Sequence, residues 1–412
     1  MTPRDLSRAG AAALDATSPL REHRARFDLP DGLVYLDGNS LGPLPRGVAA
    51  RMDEVLTREW GDGLIGSWND ADWIHLPRRV AAQVAPLVGA RPEEVHVGDS
   101  TSVLLFKTMT AAMRMRPGRR ALVLEPTTFP TDGYVAAGLA DLLDLELRWC
   151  DPDDPAAALD EDVALLALTH VDFRTGRMYD MAALTEAAHA AGALAQWDLC
   201  HSTGAVPVDL TGCGADFAVG CGYKYLNGGP GAPAFAYVAQ QHHDAVRQPI
   251  TGWMGHARPF DMERDYAPVP GIGRLSSGTP GVLALSALET ALAVFGDVDV
   301  AELRAVSLSL TDLFLDLVDA RLGNRVEVIT PRSHAERGSQ VSLRHPEAYG
   351  VVQALIARQV VGDFRTPDVA RFGFAPLYVS HVDVWDAVDH LVEVLDRDEH
   401  RDPAYAVRNL VT

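Results

Sequence analysis

Hydrophobic positions along this chain change period as it proceeds. From about 48 to 60, Val48, Met52, Val55 and Leu56 recur at helical spacing and predict an amphipathic helix. Further on, Ala121–Glu125, Val163–Thr169, Ala193–Asp198, Asp216–Gly220 and Ala234–Val238 are short, mostly apolar runs. Such runs suit strands covered on both faces. A helical stretch at 181–191, closed by Gly192, separates two of them, and another helix starts near Val103. Strand and helix in alternation predict an α/β fold, a mostly parallel sheet flanked by helices. Residues 1–50 read as an arm with one strand-like piece, Leu33–Asp37, followed by a turn-rich stretch from Gly38 to Pro43. After about 295 the pattern changes to a long helix at 300–322, short strands at 325–329 and 340–344, and helices near 347–358 and 383–396. The expected organisation is an arm at 1–50 packed with the small domain, a large domain at 51–295 and a small α+β domain at 296–412.

Composition narrows the function classes. At 412 residues with 47% hydrophobic and 22% charged, two packed domains with a sizeable core are expected. A formal charge of -20 disfavours nucleic acid and anionic membranes as partners. No run approaches the roughly eighteen apolar residues of a membrane span. The N-terminal segment interleaves arginines with Asp5, Asp15 and Glu22, unlike a secretory signal. Cys150, Cys200, Cys213 and Cys221 have no CxxC spacing and read as reduced thiols of a cytoplasmic protein.

Several motifs are excluded on their surroundings. Gly61-Asp-Gly-Leu-Ile-Gly66 matches the letters of a dinucleotide fingerprint, but a helix precedes it where a strand is required. It reads as a glycine-rich loop of another kind. Fourteen histidines offer no metal-ligand spacing, so no metal is expected; His242-His243 reads as solvated surface. No GxSxG elbow is present.

The lysines are more informative. Of 36 Lys plus Arg residues only Lys107 and Lys224 are lysine. Arginine cannot lose its proton in a protein, whereas lysine can serve as an amine nucleophile. Lys107 sits in Val103-Leu-Leu-Phe-Lys-Thr-Met, a helical pattern with an incidental charge. Lys224 lies in a glycine-flanked loop about 26 residues after Asp198, which ends a predicted strand. Open α/β sheets place their ligand crevice at such strand ends. Pyridoxal phosphate needs this pair: an amine to hold it covalently and a carboxylate to keep its ring nitrogen protonated. Ser100-Thr101-Ser102, at a helix start, offers a cradle for its phosphate, and Phe129 an aromatic face.

At these residues the sequence resembles the kynureninase family of fold type I pyridoxal-phosphate enzymes. The matching stretches are Tyr35-Leu-Asp-Gly-Asn-Ser-Leu-Gly-Pro, Phe129-Pro-Thr-Asp132, Leu168-Thr-His-Val-Asp-Phe-Arg-Thr-Gly176, Trp197-Asp-Leu-Cys-His-Ser-Thr-Gly-Ala, Gly222-Tyr-Lys-Tyr-Leu-Asn-Gly-Gly-Pro-Gly, Gly252-Trp-Met-Gly-His and Arg371-Phe-Gly-Phe-Ala-Pro-Leu-Tyr378. The resemblance implies that Lys224 carries the cofactor and Asp198 pairs with its ring nitrogen. It implies cofactor contacts from Ser100, Thr101, Phe129, Asp132, Thr169, His201, Tyr223, Trp253 and Thr279. Arg371 would grip the substrate α-carboxylate, and Asn39, Trp68 and Gly278 would complete the substrate side. The implied reaction is hydrolysis of L-kynurenine to anthranilate and L-alanine in tryptophan degradation, by a homodimer. Lys224 would act as base at Cα and Tyr223 as a later proton donor. Family members that prefer 3-hydroxykynurenine carry His and Ser-Asn where this chain has Trp68 and Gly278-Thr279, so kynurenine is the expected substrate. A desulfurase or class V aminotransferase is the nearest rival, but no cysteine follows Cys221 to serve as a mobile thiol. A non-catalytic relative is the other, and retention of both Lys224 and Asp198 argues against it.

Overall fold

A computed structural model describes residues 4–408. Its central sheet has seven strands in the order Val95–Val97, Phe235–Val238, Phe217–Gly220, Leu194–Asp198, Val163–Thr169, Ala121–Leu124 and Glu146–Trp149. Phe235–Val238 is antiparallel to both of its neighbours, and the strands from Phe217–Gly220 to Glu146–Trp149 are parallel throughout. The sheet is therefore mostly parallel, as the apolar runs predict. Every residue of Val163–Thr169 is buried. Val163, Leu166 and Leu168 feed one hydrophobic cluster, and Ala164, Leu165 and Ala167 feed the other, so both faces are covered. Each fully buried Leu or Val contributes about 1.5–3 kcal/mol, which makes this strand a central support for whatever its end carries.

The chain runs from Ala121–Leu124 out to the edge strand Glu146–Trp149, then crosses back to Val163–Thr169 on the other side. That reversal opens a crevice beyond the strands' carboxyl ends, where Thr169 and Asp198 sit side by side in register. The sequence reading overlooked Glu146–Trp149 because it is a partly exposed edge strand with polar positions. The helices Leu76–Val84 and Val282–Leu292 were likewise not foreseen.

Beyond the long helix Val300–Arg321, a four-stranded antiparallel sheet runs Asp363–Arg365, Val369–Gly373, Gln340–Arg344, Glu327–Val328. The arm's strand is shorter than expected: Val34–Tyr35 pairs with Val360–Val361. The arm's first helix, Arg8–Thr17, sets Asp15 against the start of His381–Asp396, where its carboxylate accepts from the amides of His381 (2.7 Å) and Val382 (3.0 Å). An anion at a helix N-terminus is favourable. From there the arm crosses to the large domain, and the amide of Gly42 donates to the carbonyl of Tyr223 at 2.8 Å. A Cβ on Gly42 would strike the backbone of Lys224 and Asn227, so only glycine allows this approach.

Three expectations need correction. The glycine-rich segment at 61–66 is helical: wide turns at Val55–Asp62 lead into Leu64–Gly66 and Ser67–Asp70. Glu59 holds it, its carboxylate taking Arg51 (2.6 Å) and Trp73 (2.7 Å) and its carbonyl taking Ser67 (2.6 Å). His242 is not solvated surface, because its ring bonds the buried Asp216 carboxylate at 2.6 Å. Lys107 is no incidental charge: it is 0% exposed, donating to Asp99 at 2.6 Å and to the Leu275 carbonyl at 2.7 Å.

Candidate active site

The crevice at the strand ends is built by the loops that follow the strands and by the start of the helix at Thr101. Asp198 closes its strand, buried, with one carboxylate oxygen taking the Cys200 amide at 2.7 Å. The turn that follows folds His201 inward. The next strand, Phe217–Gly220, ends just before Gly222-Tyr-Lys224, and a Cβ on Gly222 would meet the Pro233 carbonyl and Leu288. This loop brings Lys224 Nζ to 2.9 Å from His201 Nε2, with the Phe129 ring centroid 5.7 Å away.

The electrostatics set protonation states. Burial, reinforced by Lys224, Arg371 and Arg365, holds His201 well below the usual imidazole value. The ring is therefore neutral, and its Nε2 accepts from Lys224. Its Nδ1 is buried without a partner. Asp132 is pushed well above the carboxylate range by burial and by facing Asp198. Thr128 and Thr169 donate to it at 2.9 and 3.3 Å, and those two hydroxyls are 2.7 Å apart. Tyr223 is raised by burial and then by Cys221, so it keeps its proton.

These groups fit pyridoxal phosphate. Two buried carboxyls, Asp132 and Asp198, stand beside an amine, the pair of partners that a protonated ring nitrogen and an aldehyde would need. Ser100 caps the helix Thr101–Met115 by accepting from the Val103 amide at 3.4 Å. Thr101 lines the pocket at that helix's amide-rich end, which favours a phosphate. Phe129 meets Phe173 edge-on (5.3 Å, 86°) and is 42% exposed, leaving a face for stacking. Thr101, Phe129, Asp132, Thr169, Asp198, His201, Tyr223 and Lys224 all line this one pocket.

Known relatives match nearly the whole length of the chain. The family model described as the kynureninase C-terminal domain matches residues 303–391. A kynureninase of Deinococcus radiodurans is 57% identical over 394 residues, covering 94% of this chain and 96% of that one. Those of Burkholderia mallei and Pseudomonas fluorescens are each 50% identical over 414 residues, covering 98% of this chain and 100% of theirs. The chain belongs to the kynureninase family. Among solved structures, a Thermococcus onnurineus cysteine desulfurase superposes with a TM-score of 0.78 at 20% identity, covering 91% of this chain and 98% of its own. A C-DES mutant with glycine covalently linked to its PLP cofactor gives 0.78 at 15%, covering 90% and 98%. At that identity the likeness is one of fold, and the fold is type I.

Other residues expected at a kynureninase site stand outside the Lys224 pocket. Trp253 is 40% exposed and packs edge-on against Phe260. Gly278 and Thr279 are exposed on a separate cavity shared with His96 and Asp99. Trp68 packs edge-on against Trp73. Asn39 is fully buried, its amide 3.3 Å from Gln340 Oε1. Arg371 is buried on the strand Val369–Gly373, giving Nε to Asp363 at 2.7 Å and Nη1 to the Phe173 carbonyl at 2.7 Å. Sequence reasoning missed Asp363, Ser40 and Arg365 around it. Of these only Ser40 lies in a stretch that carries the resemblance, Tyr35-Leu-Asp-Gly-Asn-Ser40; the local pattern marks neither Asp363 nor Arg365. It also missed Thr128, whose hydroxyl nothing in the local pattern marks. Among the described residues no cluster of three or more His, Cys, Asp or Glu could hold a metal.

Proposed function

We infer that this chain is a pyridoxal-phosphate-dependent hydrolase that cleaves L-kynurenine between Cβ and Cγ, yielding anthranilate and L-alanine. The observation that carries the reading is Lys224 Nζ held 2.9 Å from a neutral His201, beside the buried Asp198, in a chain of this family. Bound pyridoxal phosphate supplies the electron sink that acidifies Cα and accepts electrons as Cβ–Cγ breaks.

The chain's own residues do the rest. Asp198 keeps the cofactor ring nitrogen protonated, and Ser100 and Thr101 hold its phosphate at the helix end, with Trp253 and Thr279 of a second copy. With cofactor and substrate bound, Lys224 would be the base that takes the Cα proton. Water adds to the γ-carbonyl, its oxygen leaving in anthranilate. Tyr223, protonated in this pocket, supplies the proton that Cβ gains. Arg371 binds the substrate α-carboxylate, with Asn39 beside it. Trp68, with Gly278 of the second copy that supplies Thr279, faces the substrate's aromatic ring and favours kynurenine over 3-hydroxykynurenine.

A homodimer serves this chemistry. Leu41, Leu44 and Leu283 are exposed along an apolar groove with Val48 and Met52. Trp60, Leu64 and Ile65 are exposed on the neighbouring helical turns, apolar side chains that a second copy would cover. The cytoplasm, where the four free cysteines stay reduced, suits such an enzyme.

The test is incubation of the holoenzyme with L-kynurenine and with 3-hydroxykynurenine, following anthranilate from the first, 3-hydroxyanthranilate from the second, and alanine from both. Equimolar anthranilate and alanine are expected, with higher kcat/KM for kynurenine. Sulfide release from cysteine with no anthranilate would refute the reading. Tyr223→Phe should bind cofactor yet turn over roughly a hundredfold more slowly.

A further inference from the structure

The arginines of the small domain share a carboxyl cluster that the proposed reaction does not explain. Asp363 and Arg371 face each other across paired strands. Arg371 holds both oxygens of Asp363, and Arg365 reaches the same carboxylate at 2.7 Å. Ser40 ties the group together: its hydroxyl donates to Asp363 at 2.6 Å and accepts from Arg371 at 2.8 Å and Arg365 at 3.1 Å. Asp37 joins from the arm, in the turn where the Ser40 amide bonds its carbonyl at 2.9 Å. One Asp37 oxygen is buried without a partner, and its carboxyl faces Asp363 and Ser40.

Charge counting makes this arrangement specific. With both carboxylates ionised, two negative charges cancel two arginines. With one proton shared between Asp37 and Asp363, the cluster keeps one positive charge in a buried place. Two facing carboxyls favour that shared proton. Arg365 also has an Nε buried without a partner, a donor left over for an anion. The cluster adjoins the cofactor pocket, because Arg371 Nη1 bonds the carbonyl of Phe173, whose ring packs on Phe129.

We propose that Asp37 is a positioning residue: by holding the shared proton it leaves the Arg365–Arg371 pair one uncompensated positive charge, which takes the substrate α-carboxylate. This rests on the reading of Arg371 given above. Burial, then the charge of Asp363, pushes Asp37 up to about 8 against the pull of Arg371 and Ser40. Arg371 and Arg365 keep Asp363 below the carboxylate range despite its burial. The other titratable groups facing Asp37 are Tyr35 on its own segment, Tyr225 beside the Lys224 loop and Tyr378 after the last strand. All three phenols are raised by burial and stay neutral as Asp37 ionises. His201, which also senses both arginines, is already neutral.

The test measures kcat and KM for L-kynurenine on the holoenzyme from about pH 7 to about pH 9.5. In the native protein KM should rise on the order of tenfold across that range, with kcat changing less. Asp37→Asn, and the smaller neutral Asp37→Ser should the first fold poorly, should abolish the rise. Titration of the substrate's own amine is common to every variant and cancels. Inhibition by kynuramine, which lacks the carboxylate, should not follow the native KM curve. An alkaline rise of the same size in both neutral variants, or a matching rise for kynuramine, overturns the proposal. Arg371→Gln separates the two claims. If it leaves KM unchanged, the carboxylate reading fails; if it raises KM while the neutral variants keep the native curve, only the role of Asp37 fails.

Discussion

The two lysines of this chain occupy opposite surroundings. Lys224 sits partly exposed in a pocket, and its one polar neighbour at 2.9 Å is a neutral imidazole. Lys107 is 0% exposed and spends its ammonium on the Asp99 carboxylate and the Leu275 carbonyl. Arginine would serve in neither place, for different reasons. At Lys224 the chemistry requires an amine that can be displaced and can carry a proton. At Lys107 the ammonium meets one carboxylate at 2.6 Å and one carbonyl at 2.7 Å as a compact point charge, a geometry that a planar guanidinium does not reproduce. The same compositional bias thus preserves one lysine for chemistry and one for architecture.

The largest effect that can break this contrast is on Lys224. Lys224→Ala should lower anthranilate formation by at least about a thousandfold. The cofactor-free protein should still unfold within about 1 kcal/mol of the native chain, because a partly exposed side chain is lost. Loss of folding alongside activity, read by chemical denaturation, would show that this lysine too is architectural.

Lys107 should behave in the reverse sense. Lys107→Met keeps the side chain's length and removes its charge, leaving the buried Leu275 carbonyl without a donor and Asp99 without its cation. A cost of about 2–4 kcal/mol in unfolding free energy is expected. The cofactor absorbance of the folded fraction should persist. Unchanged stability in denaturant melts would mean that water replaces the ammonium.

How far the sequence discloses each region follows from what its pattern contains. The parallel strands were readable because residues such as Val163–Leu168 are apolar without interruption, and both sheet faces demand that. Asp198 and Lys224 were readable because one closes a strand and the other follows the next strand's end, and chemistry ties an amine to a carboxylate. The burial of Lys107 was not: a helix with one charge looks the same whether that charge meets water or a carbonyl from 168 residues away. The helical path of 55–70 was hidden by glycines that ordinarily mark loops, since the Glu59 contacts to Arg51 and Trp73 are tertiary. The cluster at Asp37, Asp363 and Arg365 was hidden for the same reason, its members coming from the arm and from one strand more than 300 residues later.

The finest test uses Thr279, which belongs to the region that Lys107 fastens. Lys107 bonds Asp99 and the Leu275 carbonyl, and so joins the two walls of the cavity on which Thr279 is exposed. That cavity is separate from the pocket of the same chain's Lys224. If Thr279 serves the cofactor phosphate of a second copy, Thr279→Ala loses one hydrogen bond to an anion and weakens cofactor binding about tenfold. Mixing decides whose cofactor it serves. A dimer of one Lys224→Ala chain and one Thr279→Ala chain would hold one site with an intact lysine and an intact partner threonine. At limiting cofactor, activity should therefore recover on mixing to well above that of Thr279→Ala alone. No recovery after subunit exchange, verified by tagged chains co-purifying, would place Thr279 in service of its own chain. The two lysine regions would then belong to one site rather than to two.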